Sequence, residues 1–547
     1  MTSLLIEKWL PIRRSDGSLD WIAPSQLCEP DILGLAAHRA DFNGALAQFA
    51  IGLLQTASPA ASEADWARLY DTTPSAAELE AWFKPHADAF VFDGAGTRFM
   101  QDPHLDGGAE CGIGALLIDA AGGSTVDKNA DLFVKRGTVA AMCPHCAAAA
   151  LFTLQTNAPA GGAGQRTSLR GGGPLTTLVT ASPPQSLWHD LWLNVLPQRE
   201  FLHRSGDAAK TGPHFTFPWL AQTAAIQPAG GETQPLQVHP HHVYWAMPRR
   251  IRLDVDDTRS GQCDICKRES DQLIHRYATK PQGFNYKGPW RHPLSPYYET
   301  KEGWLPVHPQ PGGFSYRFWL AWSMGSSNPK KVVTPAANVA YALSEDRLTS
   351  RALRLWTFGF DMENMKPRCW YETSFPLYAL ADCKVRAQRD FRGIVAGLVE
   401  AAELAVFYLR QAVKLAWFGD GEVRGDLGYV DKMFWDATET AFHRHLRELI
   451  AQARTSKGIG SISEEFGQSH AARWQLELSR KCLRLFDVDI VGAGAITRQD
   501  PHRIAQAYKG LKRNVDGKAL RAVLGMPQPE QDAEKAKASK KAKAQLS

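Results

Sequence analysis

The stretch AQRDFRGIVAGLVEAAELAVFYLRQAV, residues 387–413, divides the chain in two. Phe391, Ile394, Leu398, Ala402, Ala405, Leu409 and Val413 recur at three- and four-residue steps, which sets them on one stripe of a long amphipathic helix. After a glycine-rich break at 419–428 the pattern resumes through Val430, Met433, Ala437, Ala441 and Leu449. Further helices are expected around 468–487 and 500–524, with Val491-Gly-Ala-Gly-Ala495 as the loop between them. Four helices in succession predict a four-helix bundle.

Upstream of about residue 375 the texture differs. Short runs such as LTTLV at 175–179 and the aromatic YRFWLAW at 316–322 alternate with Gly, Pro and Asn clusters. The expected fold is therefore α+β: a large mixed domain over 1–378, a four-helix bundle over 385–525, and a basic tail over 526–547. The tail holds Glu534-Lys-Ala-Lys-Ala-Ser-Lys-Lys-Ala-Lys543. It reads as disordered and solvated, with a weak electrostatic nucleic-acid contact as the alternative.

The 547 residues leave room for two to four domains at roughly 100–200 residues each. With 44% hydrophobic residues, wholesale disorder is excluded. Lys and Arg number 62 against 57 Asp and Glu, a formal charge of +5. That excess does not by itself require nucleic acid, but a basic face can sit within a nearly balanced total. The opening MTSLLIEKWLPIRR lacks the apolar core of a signal peptide, and no run is apolar enough for a membrane span. The expected compartment is the cytoplasm.

Nine cysteines do not make a disulfide framework in a chain of this size. Four form two C-x-x-C pairs, Cys143-Pro-His-Cys146 and Cys263-Asp-Ile-Cys266. Two such pairs point to a tetrahedral site of four thiolates, with no open position and hence a structural Zn2+. The second pair begins 117 positions after the first ends, so the ion would staple two distant segments. The alternatives are two unrelated pairs or separate redox use; His145 reads as a spectator. His239-Pro-His-His242 reads as a surface turn. Walker A, G-x-S-x-G, H-E-x-x-H and kinase motifs are all missing from the sequence, which favours a binding protein over an enzyme.

Three loops have the chemistry to touch nucleic acid. Residues 158–177, APAGGAGQRTSLRGGGPLTT, combine glycines that permit close backbone approach with Arg166 and Arg170 as donors. Residues 359–372, GFDMENMKPRCWYE, read as an exposed hairpin with Glu363, Asn364, Met365 and Lys366 at its tip. An apolar, amide-bearing tip can wedge between base pairs. Residues 132–137, LFVKRG, set an aromatic beside two cations, suited to an unpaired base and a phosphate. Each reads equally as ordinary surface: a flexible loop, a plain hairpin, a strand end.

These residues resemble the CasA family, the large subunit of the type I-E Cascade complex of CRISPR surveillance. The matching segments are Leu4-Leu-Ile-Glu-Lys-Trp-Leu-Pro-Ile12, Arg98-Phe-Met-Gln101, Ser168-Leu-Arg-Gly-Gly-Gly-Pro-Leu-Thr-Thr177 and Trp290-Arg-His-Pro-Leu-Ser-Pro296. Both C-x-x-C pairs, the 359–371 segment and the helical C-terminal region fall in order with them.

The resemblance implies a non-catalytic subunit that holds the 5′ handle of the crRNA. It implies recognition of a short protospacer-adjacent motif (PAM) in duplex DNA, mainly from the minor groove, and opening of the duplex for crRNA pairing. It also implies a docking surface for the helicase-nuclease and contacts with the other Cascade subunits.

Carried over by position, Phe133, Val134 and Lys135 resemble the crRNA-handle loop. Ala160, Gly161, Gly162, Ala163 and Gly164 resemble the glycine loop at the PAM. Lys280 falls at the minor-groove lysine, Lys301 at a lysine that meets the DNA backbone, and Glu363, Asn364 and Met365 at the wedge hairpin. Two departures stand out. Ala160 and Ala163 replace glycines of some members, and the wedge carries Glu363-Asn364 where some members pair an amide with glutamine. A carboxylate is unfavourable near phosphates, so Asn364 is the expected inserted side chain. Two rival readings are a structural scaffold that binds only protein partners and a zinc-dependent nucleic-acid enzyme. The enzyme would need an open metal position or acidic ligands.

Overall fold

The computed structural model describes residues 2–105, 107–129, 131, 136–162, 164–205, 210–228, 230–328, 331–419, 426–455, 461–492 and 500–527. The chain divides into two units. One is formed by Met1–Gln310, Ser327–Ala342 and Arg351–Leu377, the other by Pro311–Ser326, Leu343–Ser350 and Tyr378–Ser547. The N-terminal part mixes helix and strand, as its sequence texture predicts. Among the described residues no helix is long and apolar enough to cross a membrane.

In the first unit, helix α1 (Ala40–Ala57) is apolar around nearly its whole circumference and is buried accordingly. Phe49 on α1 is the hub of an aromatic cluster, edge-to-face with Trp9 at 5.0 Å, Phe152 at 5.6 Å, Trp245 at 5.8 Å and Phe90 and Phe99 at 5.9 Å. Each ring buries a large apolar area, worth about 1.5–3 kcal/mol, and edge-to-face geometry adds to it. Phe152 comes from helix α2 (Pro144–Asn157), which begins inside the first C-x-x-C pair and packs along α1.

The same unit holds several short antiparallel sheets. Strand β1 (Thr176–Ala181) follows the glycine-rich segment. Strands β2 (Arg250–Leu253) and β3 (Arg276–Lys280) pair with each other, with Ala109–Gly112 on the far side of β3. Strands β4 (Tyr297–Thr300) and β5 (Gly303–Pro306) make a tight hairpin. Strands β6 (Leu353–Glu363) and β7 (Lys366–Leu377) make a long one, with β6 also paired to β1. Gly44 of α1 lets this hairpin approach: a Cβ there would stand 2.7 Å from Phe358 Cε2.

The second unit is built on helices α3 (Val385–Phe418), α4 (Gly428–Thr455), α5 (Glu464–Arg484) and α6 (Pro501–Val515). Six of the seven stripe residues on α3 are buried, Ile394 being half-buried. The α4 stripe differs from the sequence expectation. Met433, Ala437 and Ala441 are half-buried, and the inward face is Val430, Phe434, Trp435, Thr438, Phe442, His445, Leu446 and Leu449. Thr438 and His445 read as polar from sequence, yet each has a buried partner. Thr438 meets the Tyr316 hydroxyl at 2.9 Å, and His445 Nδ1 meets His470 Nδ1 at 2.7 Å. The aromatic run at 316–322 folds as a short helical segment, and Tyr316 stacks on Phe442 at 4.3 Å. The fourth helical stretch breaks at Asp516–Gly517 before a short helix at Lys518–Val523. Arg503 of α6 donates to the Ala416 and Trp417 carbonyls, which lack intrahelical partners at the end of α3.

The His445–His470 pair gives the bundle an acid limit. Both rings are covered, and burial first, then neighbouring charges, pushes each down to about 4. Arg444, Arg473, Glu448 and Glu477 surround them. The unfolded chain takes up these protons near pH 6.5 and the folded one only near 4, so stability is full above 6.5 and falls as pH drops toward 4. The melting midpoint of the full chain is expected to fall over that window, and His470→Gln to flatten the slope. An unchanged slope in the variant would show that other groups set the acid limit.

Candidate nucleic-acid interface and metal centre

The four cysteines predicted to meet do so. Cys143, Cys146, Cys263 and Cys266 are buried, with all four sulfurs within 4.8 Å of one another. The Cys143 and Cys266 sulfurs lie 3.7 Å apart. A tetrahedral ion with sulfur at about 2.3 Å requires sulfurs about 3.8 Å apart, so the cluster fits such an ion. Without a cation, four packed thiols cannot all ionise.

Local structure forms each half. Cys143 caps α2, whose first turn brings Cys146 back beside it. Lys267, in the left-handed region at φ 60°, turns the second pair, and the Cys263 carbonyl accepts its N–H at 2.9 Å. Asp264 locks the halves together, its carboxylate accepting the N–H groups of Ala140 and Ala141. His145 packs against Trp21 at 5.3 Å, outside the cluster.

From this cluster two segments run out and meet again. Helix α2 leads to the glycine loop, and the chain after Cys266 leads through β3 to Lys280. At the far end the Gln282 N–H donates to the Gly164 carbonyl at 3.0 Å. Gly161, Gly162 and Gly164 are exposed at the tip of that loop, with Ala160 half-buried beside them; Ala163 lies outside the described residues. Gly164 has φ 79°, where a Cβ is strained. A Cβ on Gly161 would stand 2.8 Å from Gln165 Cβ. Arg249 holds the loop from beneath, donating to Gln165 Oε1 at 2.6 Å and to the Pro159 carbonyl. Lys280 is half-buried at the end of β3, its stem beside Gly108.

The long hairpin roots in the same segment. A Cβ on Gly173 would stand 2.6 Å from Phe360 Cβ, and one on Gly359 2.7 Å from the Pro174 carbonyl. The two-residue tip is Asn364-Met365, with φ 47° and 67°. Both positive values match the turn that fits hairpin twist, but that turn favours glycine second. Methionine there is strained by about 1–2 kcal/mol and is 57% exposed. A bulge between Asp361 and Met362 turns the tip further. Glu363 is exposed, but it is ion-paired: Arg368 Nη1 meets Glu363 Oε2 at 2.7 Å, while Nη2 meets Asp361 Oδ1 at 2.7 Å. The carboxylate expected to oppose phosphates is thus ion-paired across the hairpin, sharing one guanidinium with Asp361.

Other expectations change. Arg170, read as a donor of the glycine loop, is buried and faces inward. His239-Pro-His-His242 is a turn but not a surface one: His241 and His242 are buried, and His242 Nε2 meets the Tyr286 hydroxyl at 2.9 Å. Lys301 is exposed at the β4–β5 turn, and no hydrogen bond or ion pair among the described residues ties it to the glycine loop or the long hairpin. Phe133, Val134 and Lys135 lie outside the described residues. Sequence reasoning missed Arg249 and Arg368 as supports. Arg368 stood two residues after Lys366 in the quoted hairpin, so cross-strand charge pairing was the signal available for it.

Fold and site together define a two-unit α+β protein with a buried four-cysteine cluster that could hold a metal ion, an exposed glycine loop and a long hairpin with a strained tip. The chain belongs to the CRISPR-associated protein Cse1 family, whose model matches residues 3–485. Its fold is similar to that of CasA from Thermus thermophilus, with 16% identity over 94% of this chain and 99% of that one and a TM-score of 0.66. Cse1 from Acidimicrobium ferrooxidans matches with 16% identity over 96% and 99% and a TM-score of 0.58. A chain of a structure described as a CRISPR RNA-guided surveillance complex matches with 14% identity over 94% and 99% and a TM-score of 0.64.

Thiol modification of the intact chain is expected to release a single metal ion, read by mass spectrometry or a colorimetric chelator. Cys263→Ser is expected to lower metal content and melting midpoint together. Equal metal content in wild type and Cys263→Ser would remove the site.

Proposed function

We propose that this chain is the non-catalytic large subunit of a type I-E Cascade complex, reading the PAM and starting the opening of target DNA. The observation that carries the reading is the meeting of three distant segments: the exposed glycine tip, the end of β3 with Lys280, and the root of the wedge hairpin. Lysine and arginine contacts to phosphates supply salt-sensitive affinity. The glycine loop and Lys280 approach the minor groove, where close approach and few donors limit discrimination to a short motif. Asn364 and Met365 unstack the first pair at a cost of a few kcal/mol, which crRNA pairing later offsets. Lys301 contacts the DNA backbone. The resemblance assigns the crRNA 5′ handle to Phe133, Val134 and Lys135, and gives this subunit the recruitment of the helicase-nuclease. The ion in the four-cysteine cluster is Zn2+, in a closed structural site. The complex works in the cytoplasm.

The test is binding of the assembled complex to matched duplexes with a randomised PAM at fixed salt. Sequence preference beside the target is expected to vanish without this subunit. Asn364→Ala and Lys280→Ala are each expected to weaken it roughly tenfold. Preference that survives removal of the subunit would make the chain a scaffold.

The Arg368 pairing makes a separate prediction. Arg368→Gln leaves Asp361 and Glu363 uncompensated and facing the phosphates, so DNA affinity is expected to drop several-fold. Adding Glu363→Gln should restore most of the loss. A double variant as weak as the single would show that Arg368 acts by holding the hairpin's shape.

A further inference from the structure

Arg170 is buried, with 3% of the residue exposed. Its Nη1 donates to Thr176 Oγ1 at 3.1 Å and Ser295 Oγ at 2.9 Å, and its Nη2 donates to Gln48 Oε1. These acceptors are neutral and use three of the five N–H groups. Among the described residues no carboxylate pairs with it. Burial pushes the guanidinium down to about 10, which still leaves it charged at neutral pH. A buried charge with no counter-charge is one of the costliest arrangements a fold can hold.

Beside it lies a small cavity lined by Gln48, Gln155, Ser168, Arg170, Tyr244 and His292, among others. The Tyr244 hydroxyl is buried and has no hydrogen-bond partner. His292 Nδ1 accepts the Leu294 N–H at 3.2 Å. Burial keeps this ring neutral, so its remaining proton sits on Nε2. The neighbouring amides and the Ser168 hydroxyl are already committed, Gln48 to Arg170 and the Gly44 carbonyl. Gln155 bonds the Met100 and Arg249 carbonyls and the Arg249 N–H, and Ser168 bonds the Gly171 carbonyl. The uncommitted groups are therefore guanidinium N–H, phenol O–H, imidazole N–H and the Thr156 hydroxyl, each of which can donate to an anion.

We propose that this cavity binds one small monovalent inorganic anion, such as chloride, which neutralises Arg170 beneath the glycine-rich segment. The space holds about one water-sized occupant, too little for phosphate or a nucleotide. The anion would anchor the turn at Gly171 to Gly173, whose backbone packs on Pro159 and Phe360.

The test uses the full chain, melted while chloride replaces gluconate at constant ionic strength, gluconate being too large to enter. A saturable rise in midpoint is expected. Tyr244→Phe, which keeps the ring and deletes the unpartnered hydroxyl, should raise the half-saturating chloride concentration roughly tenfold. Arg170→Met should abolish the response. Crystals grown in bromide should show an anomalous peak in the cavity. Midpoints indifferent to the exchange, an identical response in Tyr244→Phe, or a water molecule in place of bromide would each overturn the proposal.

Discussion

The first unit depends on a constraint at one point, the meeting of four thiols from segments 117 positions apart. Helix α2 leaves that point by one route and the chain toward β3 by another. At about 1.5 Å per residue, α2 carries its end roughly 20 Å away. There the Gln155 side chain grips Arg249, and the Gly164 carbonyl takes the Gln282 N–H. Two segments clamped at both ends cannot slide past each other. The cluster therefore fixes the placement of the glycine tip against Lys280 although it touches neither. A closed ion suits such a task, because every ligand position goes to cross-linking and none to chemistry.

Close backbone approach is the second organising device. Gly44, Gly173 and Gly359 stand where a Cβ would enter a neighbour, and all three meet the long hairpin or its root. They let the hairpin lie directly on α1 and on the glycine-rich segment. Its tip, by contrast, is under strain, with methionine in a left-handed conformation and largely exposed. Strain held at an exposed tip by a rigid, well-packed base is typical of a binding element, and it is consistent with the wedge role proposed for Asn364 and Met365.

Charge placement follows the same division. Arg368 is spent on two carboxylates at the tip, and Arg249 on the carbonyls beneath the glycine loop. Arg170 is buried against neutral acceptors. Each guanidinium is engaged within the fold, on carboxylates, carbonyls or neutral acceptors, rather than advertising a positive surface, in keeping with a formal charge of only +5.

The sequence by itself determined the features that depend on neighbours along the chain. The helical period of α3 follows from local spacing, as do the paired C-x-x-C motifs and the turn chemistry of 359–372. Family resemblance added an order of motifs that no single spacing supplies. The tertiary structure alone decided which face of α4 is inward, because the partners of Thr438 and His445 lie far off on Tyr316 and His470. It also decided that the aromatic run at 316–322 belongs with the second unit, that His241 and His242 are core, and that Arg170 points inward while Glu363 is paired. The physical reason is common to all of these. Burial and charge pairing are set by contacts between residues distant in sequence, whereas periodicity and turn geometry are set within a few residues of the backbone.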